Sequence, residues 1–319
     1  MKKRWLIAGA VLVSAGLVLF CAAYFAGGSD LSTLDPVKYV SKTYTVDDAF
    51  ERLEITAGDT DITFAPSTDG KCSVVCTERE KMGYSIRTEN GKCRITTADE
   101  RNWYDHLTFF SKTCSMTVYL PEAHYAGVSV DSGTGDVSVP ETFSFDAAEI
   151  TADTGDVTCR ADVKGALRIV TDTGDIRLDG IKAGSIGLTV STGRIDAGAI
   201  RCDGEFSVEI STGDAYLTDV RCSGLRSRGS TGRLTLTDTV AAGAFDLERS
   251  TGDVRFDNCD AGTITVKTST GDVTGTLQTE KVFLVDTSTG DVHVPDTASG
   301  GKCEVRTSTG DIELKMADR

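Results

Sequence analysis

The sequence predicts an all-β protein: a single-chain parallel β-solenoid of two-strand coils, 19–20 residues each, preceded by an N-terminal transmembrane helix. Three observations predict it. A Thr-Gly-Asp or Thr-Gly-Arg step recurs with its glycine at 135, 155, 174, 193, 213, 232, 252, 271, 290 and 310. Apolar and polar residues alternate on both sides of every step. An uncharged, mostly apolar run from Trp5 to Gly28 follows Lys2, Lys3 and Arg4.

Threonine precedes all ten glycines, and the spacing never leaves 19 or 20, so one structural unit repeats along the chain. Two and four residues after the glycine come pairs such as Val137/Val139, Ile176/Leu178 and Val254/Phe256. Seven and five residues before it come Leu167/Ile169, Ile186/Leu188 and Phe245/Leu247. Over ten copies only Ser227 and Gly275 break these four columns. Period-two alternation of this kind marks half-buried strands, and β-branched residues suit them. Glycine suits the corner because a tight turn there commonly needs positive φ. A lone two-strand unit cannot bury its inner face, but stacked coils can. Parallel coils about 4.8 Å apart make a spindle of about 48 Å for ten coils. The Leu-x-x-Leu-x-Leu pattern of a leucine-rich repeat is absent, and the calcium-binding nonapeptide roll has half this period.

Residues 1–30 form the anchor. The apolar run is long enough to cross a bilayer, and the basic residues before it keep that side in the cytoplasm. A cleaved signal sequence is the alternative, and either reading puts the body outside the cytoplasm. The expected location is the cell membrane, single-pass. Residues 31–45 read as a linker, 46–125 as an irregular N-terminal β region and 126–319 as the regular stack. In the irregular region, Ala57-Gly58-Asp59 reads as a degenerate corner between Leu53/Ile55 and Ile62/Phe64. Strand-like runs follow at Ser73–Cys76, Arg94–Thr97 and Ser115–Leu120. Between them the aromatic stretch Arg101–Phe110 would cover the first coil, or offer Trp103 and Tyr104 to a partner.

Lys and Arg number 33 against 48 Asp and Glu, a formal charge of −15, which argues against nucleic acid. The histidines, His106, His124 and His293, are scattered, so neither a histidine metal site nor a triad is expected. After each corner glycine stands Asp136, Asp156, Asp175, Arg194, Asp214, Arg233, Asp253, Asp272, Asp291 or Asp311. Neighbouring carboxylates at this spacing repel by ~0.9 kcal/mol in water, and the two arginines interrupt the column. Its expected role is structural. Weak divalent binding at Asp253, Asp272, Asp291 and Asp311 is the rival, although calcium wants more oxygens than one column supplies. Cys72, Cys76, Cys93 and Cys114 lack paired C-x₂-C spacing and read as core residues or disulfides rather than a zinc site. Cys159 and Cys303 fall in core columns and should be inert. No nucleophile elbow, phosphate loop or metal signature appears, so no catalytic residue and no cofactor is expected.

The N-terminal anchor, the Ala-Gly-Asp step, Leu120-Pro121 before the regular region and the repeated Ser-Thr-Gly-Asp-Val together resemble the DUF4097 adhesin family of bacterial envelope proteins. The resemblance spans roughly residues 46–316. It implies a β-solenoid at the bacterial cell surface with an adhesion or envelope-stress role, and it supplies no catalytic residues. The expected function is a non-catalytic, membrane-anchored interaction module with a protein or glycan partner. A polysaccharide-acting β-helix enzyme and a weak cation-binding scaffold are the alternatives.

Two further expectations concern particular residues. Asp311–Lys315 begins a last coil whose unpaired edge could self-associate or dock a partner. Cys202 and Cys222, each nine residues past a corner glycine, should sit about 5 Å apart and are expected to form a disulfide. Arg201 and Arg221 beside them would favour thiolates; two stacked free thiols are the alternative.

Overall fold

Side chains that alternate in and out of each repeat can be satisfied only if successive repeats lie side by side in register. That is the arrangement found. The computed structural model describes residues 13–16, 18–22, 39–79, 82–99 and 114–317. On one wall of the solenoid Leu167, Ile186, Phe206, Leu225, Phe245 and Ile264 pair in parallel from coil to coil. On the facing wall Ile176, Ile195, Ala215, Leu234, Val254 and Val273 do the same. All twelve are buried.

Each coil has three sides, not the two expected. A short third side pairs Ala183 with Cys202, Arg201 with Arg221, Cys222 with Ala241 and Ala241 with Ala261. Its inward residues, among them Ile181, Ile200, Val220 and Cys259, are buried. The chain reaches this side through a second corner, six residues past the first, where Gly180, Ala199, Asp219, Asp238 and Asn258 hold φ between +48° and +69°. Asp and Asn tolerate that conformation better than most residues. At the first corner φ lies between +128° and +151°. A Cβ at Gly213, for example, would overlap the Gly193 carbonyl oxygen, so both the dihedral and the close stacking demand glycine there.

Ser227, one of the two breaks in the columns, has a partner. Arg249, only 4% exposed, crosses the core above Gly229, and its Nη2 donates to Ser227 Oγ at 2.9 Å. A Cβ on Gly229 would lie 2.7 Å from Arg249 Nη1. Serine, glycine and arginine on neighbouring coils therefore form one buried polar unit. Burial lowers the Arg249 guanidinium to about 10.

The order of coils departs from chain order at both ends. Six strands build the N-terminal tip: β1 (Tyr39–Val46), β2 (Arg52–Pro66), β3 (Cys72–Arg79), β4 (Met82–Glu89), β5 (Lys92–Asp99) and β6 (Cys114–Leu120). β2 lies between the Gly135 coil, through Leu53–Val128 and Ile55–Val130, and a later coil made of β5 and β6. Its corner is Asp59-Thr60-Asp61, two residues beyond the expected Ala57-Gly58-Asp59. Asp59 pairs with Thr134, and the Asp136 N–H donates to Asp61 Oδ1. At the other tip the strand Gly301–Thr309 pairs with Val254–Thr270 on one side and Lys281–Thr289 on the other. The Gly290 coil is therefore outermost and the Gly310 coil lies beneath it. At both ends one coil is inserted beneath a neighbour, which gives it a backbone ladder on each side.

Among the described residues no helix is long and apolar enough to cross a membrane. Residues 13–16 and 18–22 are helical, and most of the Trp5–Gly28 anchor lies outside the described residues.

Candidate functional site

The corner carboxylates form a ladder. The backbone N–H of Asp156 donates to Asp136 Oδ1, and that of Asp175 to Asp156 Oδ1, both at 2.8 Å. The pattern continues as Asp272 N–H to Asp253, Asp311 N–H to Asp272 and Asp291 N–H to Asp311, at 3.1, 2.8 and 2.8 Å. Asp253, Asp272, Asp311 and Asp291 thus stand on four successive coils, in that spatial order. In the first three of them one oxygen is committed to the backbone of the next coil. Among the described residues no three His, Cys, Asp or Glu side chains are grouped to hold a metal. Where arginine replaces aspartate the column finds other partners: Arg194 stacks 4.8 Å over the Tyr216 ring, and Arg233 Nε lies 3.8 Å from Asp253 Oδ2.

The N-terminal tip is covered. β4 runs antiparallel on β5, β3 antiparallel on β6, and β1 antiparallel on β3. β3 carries Glu78, 1% exposed, whose carboxylate takes Lys42 Nζ at 2.6 Å and the Tyr44 hydroxyl at 3.1 Å. The Glu78 partnership raises the Lys42 ammonium above its usual value. The Tyr84 hydroxyl is hydrogen-bonded to Thr60 Oγ1 at 2.6 Å, with Tyr84 and Thr60 both buried. Polar groups buried in this way need partners, and here Glu78 ties β1 to β3 while Tyr84 ties β4 to the corner of β2. Trp103 and Tyr104, expected either to cap or to bind, lie outside the described residues.

Among the described residues the opposite tip is open, and its edge is not the one the sequence suggested. Asp311–Lys315 belongs to the inserted coil: Ile312 pairs with Val273 on one side and Val292 on the other. The exposed edge is Lys281–Thr289 with Val292–His293. There Leu284 is 52% exposed, Val292 41% and Val282 37%. Phe283, Val285 and Val294, which should close the core, are only partly buried. Behind them Lys281, 2% exposed, reaches Asp260 Oδ1 at 2.6 Å and holds the outermost coil at one end.

All cysteines described are free thiols. Cys202 and Cys222 occupy the equivalent inward places predicted for them, one residue past the Arg201–Arg221 pair. Their arginine neighbours do not activate them. Arg201 turns outward to Asp219, with Nη2–Oδ2 at 3.0 Å, and Arg221 donates to the Asp238 carbonyl. Burial dominates instead, pushing Cys222 up to about 12 and raising Cys202. Cys72, Cys76 and Cys303 are likewise pushed up to about 12, and Cys159 to about 11, as buried apolar surroundings require.

The Toastrack DUF4097 family model matches residues 50–214 and 201–319. Among solved structures, a "putative adhesin" from Bacteroides fragilis is 14% identical, covering 87% of this chain and 97% of that one at a TM-score of 0.41. Another from Parabacteroides distasonis is also 14% identical, covering 88% and 98%, at 0.45. No curated protein matches. With its two family matches together reaching from Phe50 to the last residue, the chain belongs to the Toastrack DUF4097 family.

Proposed function

We propose that this chain is a membrane-anchored interaction module of the cell envelope, adhesin-like, whose body lies outside the cytoplasm and engages a protein through the open tip. One observation carries the reading. Among the described residues, the solenoid covers one end with three strands and a buried carboxylate and exposes Val40 as a single large apolar residue there, whereas at the other end Val282, Leu284 and Val292 are exposed together along the outermost coil. A partner strand laid along Lys281–Thr289 would complete the ladder and cover Phe283 and Val285, the recognition mode known as β-augmentation. The basic residues before the Trp5–Gly28 run support the anchor, and the names of the structural neighbours agree with a binding role. The repeat columns act as scaffold: their carboxylates hold backbone rather than substrate.

A photo-crosslinking residue at position 284, displayed on intact cells, tests the reading. A protein adduct that is lost when Val282 and Val292 are changed to lysine is expected. An adduct with a second copy would identify the partner as the chain itself. Equal labelling from position 284 and from Arg228, on the flat wall, would overturn the tip as the binding site.

A further inference from the structure

The sequence scatters its histidines, but the fold places one of them in a constellation that neither the repeat columns nor the open tip requires. His124 and Ser144 are register partners on neighbouring coils of the third side. His124 Nδ1 lies 2.9 Å from Ser144 Oγ, and Nε2 lies 3.0 Å from Asp146 Oδ1. Asp146, ionised at neutral pH, can only accept, so Nε2 carries the proton. The lone pair of Nδ1 therefore faces the Ser144 hydroxyl. Nucleophile, base and orienting carboxylate stand in the order that activates a serine, which is recognised by geometry and not by sequence position.

The support beneath is rigid. Tyr125 and Phe145, the inward neighbours of His124 and Ser144, are buried with ring centroids 6.1 Å apart, and the Tyr125 hydroxyl donates to the Pro121 carbonyl. The Asp146 backbone is bonded on both sides, its N–H to Tyr125 and its carbonyl to Gly165. The hydrogen bond from His124 lowers the Asp146 carboxyl, with Lys164 adding to it. A groove of about 390 Å³ opens beside His124 and Ser144, lined further by Asp162, Lys164, Lys182 and Arg201.

We propose that Ser144, His124 and Asp146 form an acyl-transfer site that cleaves carboxylic esters of hydrophilic alcohols. Ser144 Oγ bonds to the ester carbonyl carbon while its proton passes to His124 Nδ1. The carbonyl π pair moves to oxygen, forming an oxyanion on the side of Lys164, whose Nζ lies 3.8 Å from Asp146 Oδ1. Collapse expels the alkoxide oxygen, which takes the proton from Nδ1 and leaves as the alcohol. Water then attacks the acyl-serine, gives a proton to Nδ1, and the Oγ–acyl bond breaks as Oγ recovers that proton, releasing the carboxylic acid. Asp146 is the positioning residue, fixing the tautomer and stabilising the imidazolium. The charged lining of the groove selects a hydrophilic alcohol over a lipid.

The test uses the purified chain with 4-nitrophenyl acetate and a fluorophosphonate probe, with labelled peptides located by mass spectrometry. Ser144 should be labelled far faster than Ser250, an exposed serine of the repeat, and Ser144→Ala should abolish the acylation burst. His124→Ala should slow turnover by roughly 10²-fold or more. Asp146→Asn should lower kcat with KM unchanged, which loss of surface structure alone would not produce. Circular dichroism confirms that each variant is folded, and Ser250→Ala should keep the parent rate. Labelling of Ser144 no faster than Ser250, or hydrolysis by folded Ser144→Ala at the parent rate, would overturn the proposal. Neither outcome touches the open tip, which crosslinking tests separately.

Discussion

At the N-terminal tip the core columns end beneath three antiparallel strands and a buried Glu78 paired with half-exposed Lys42; at the other tip they end on Phe283 and Val285, which are only partly buried. Both ends insert one coil beneath another, so both gain the same backbone ladder. Only one adds a cover. A parallel stack offers unpaired edges wherever it stops, and repeat proteins ordinarily blunt such ends. In the proposed function the two tips do different work: one closes the fold, and the other receives a partner.

The largest effect expected concerns the body between them. Gly213→Ala should cost about 4 kcal/mol, because its φ of +137° is unfavourable for alanine and the Cβ would overlap the preceding coil. Gly58→Ala, beside the N-terminal corner, meets open space and should stay within ~0.5 kcal/mol. Urea midpoints compare the two, and equal losses would break the distinction between stacked corner and tip.

That contrast also shows what could be read in advance. The four apolar columns and the glycine corner were legible because each recurs with the same chemistry every 19–20 residues. The third side was not, because its inward places alternate among Ile, Val, Thr, Cys and Ala, too varied to stand out. Its corner holds Gly180, Ala199, Asp219, Asp238 and Asn258, which share a backbone conformation but no side chain. Coil order was equally hidden, since the Gly271, Gly290 and Gly310 repeats would stack in any sequence. Charge even points the other way: in chain order Lys267, Asp286 and Arg306 alternate, whereas the fold sets Lys267 beside Arg306. The hints were Val282 and Leu284, apolar at outward places. His124, Ser144 and Asp146 meet only because the third side exists.

Lys42→Met sharpens the account of the covered tip. It leaves the buried Glu78 carboxylate with the Tyr44 hydroxyl as its remaining partner and should lower the urea midpoint, by less than breaking a fully buried pair would, because Lys42 is half exposed. Hydrogen exchange should rise in β1 and β3 and stay unchanged in Lys281–Thr289. Leu284→Lys should do the reverse, leaving stability within ~0.5 kcal/mol while removing association at the open tip, as sedimentation and crosslinking would show.

A smaller effect follows from acid. Glu54 on β2 is held below the usual carboxylate range by Lys92, at 2.8 Å, and by Arg94 on β5. A depressed carboxyl contributes stability above its unfolded value and loses it as pH falls through the folded one. Proteolysis near β5 should therefore quicken as pH drops below about 4, and added salt at neutral pH should mimic the change weakly.

The central claim is the order of coils at the open tip, with the Gly310 coil inserted beneath the Gly290 coil. Paired cysteines test it directly. Thr270 and Thr309 are register partners, as are Thr309 and Thr289, so Ser269 and Ser308 stand on adjacent coils while Ser269 and Ser288 are two coils apart. At about 4.8 Å per coil, Ser269→Cys with Ser308→Cys should form a disulfide readily, and Ser269→Cys with Ser288→Cys, about 9.6 Å apart, should not. Oxidation of the second pair and not the first would show that the coils stack in chain order and would contradict the account.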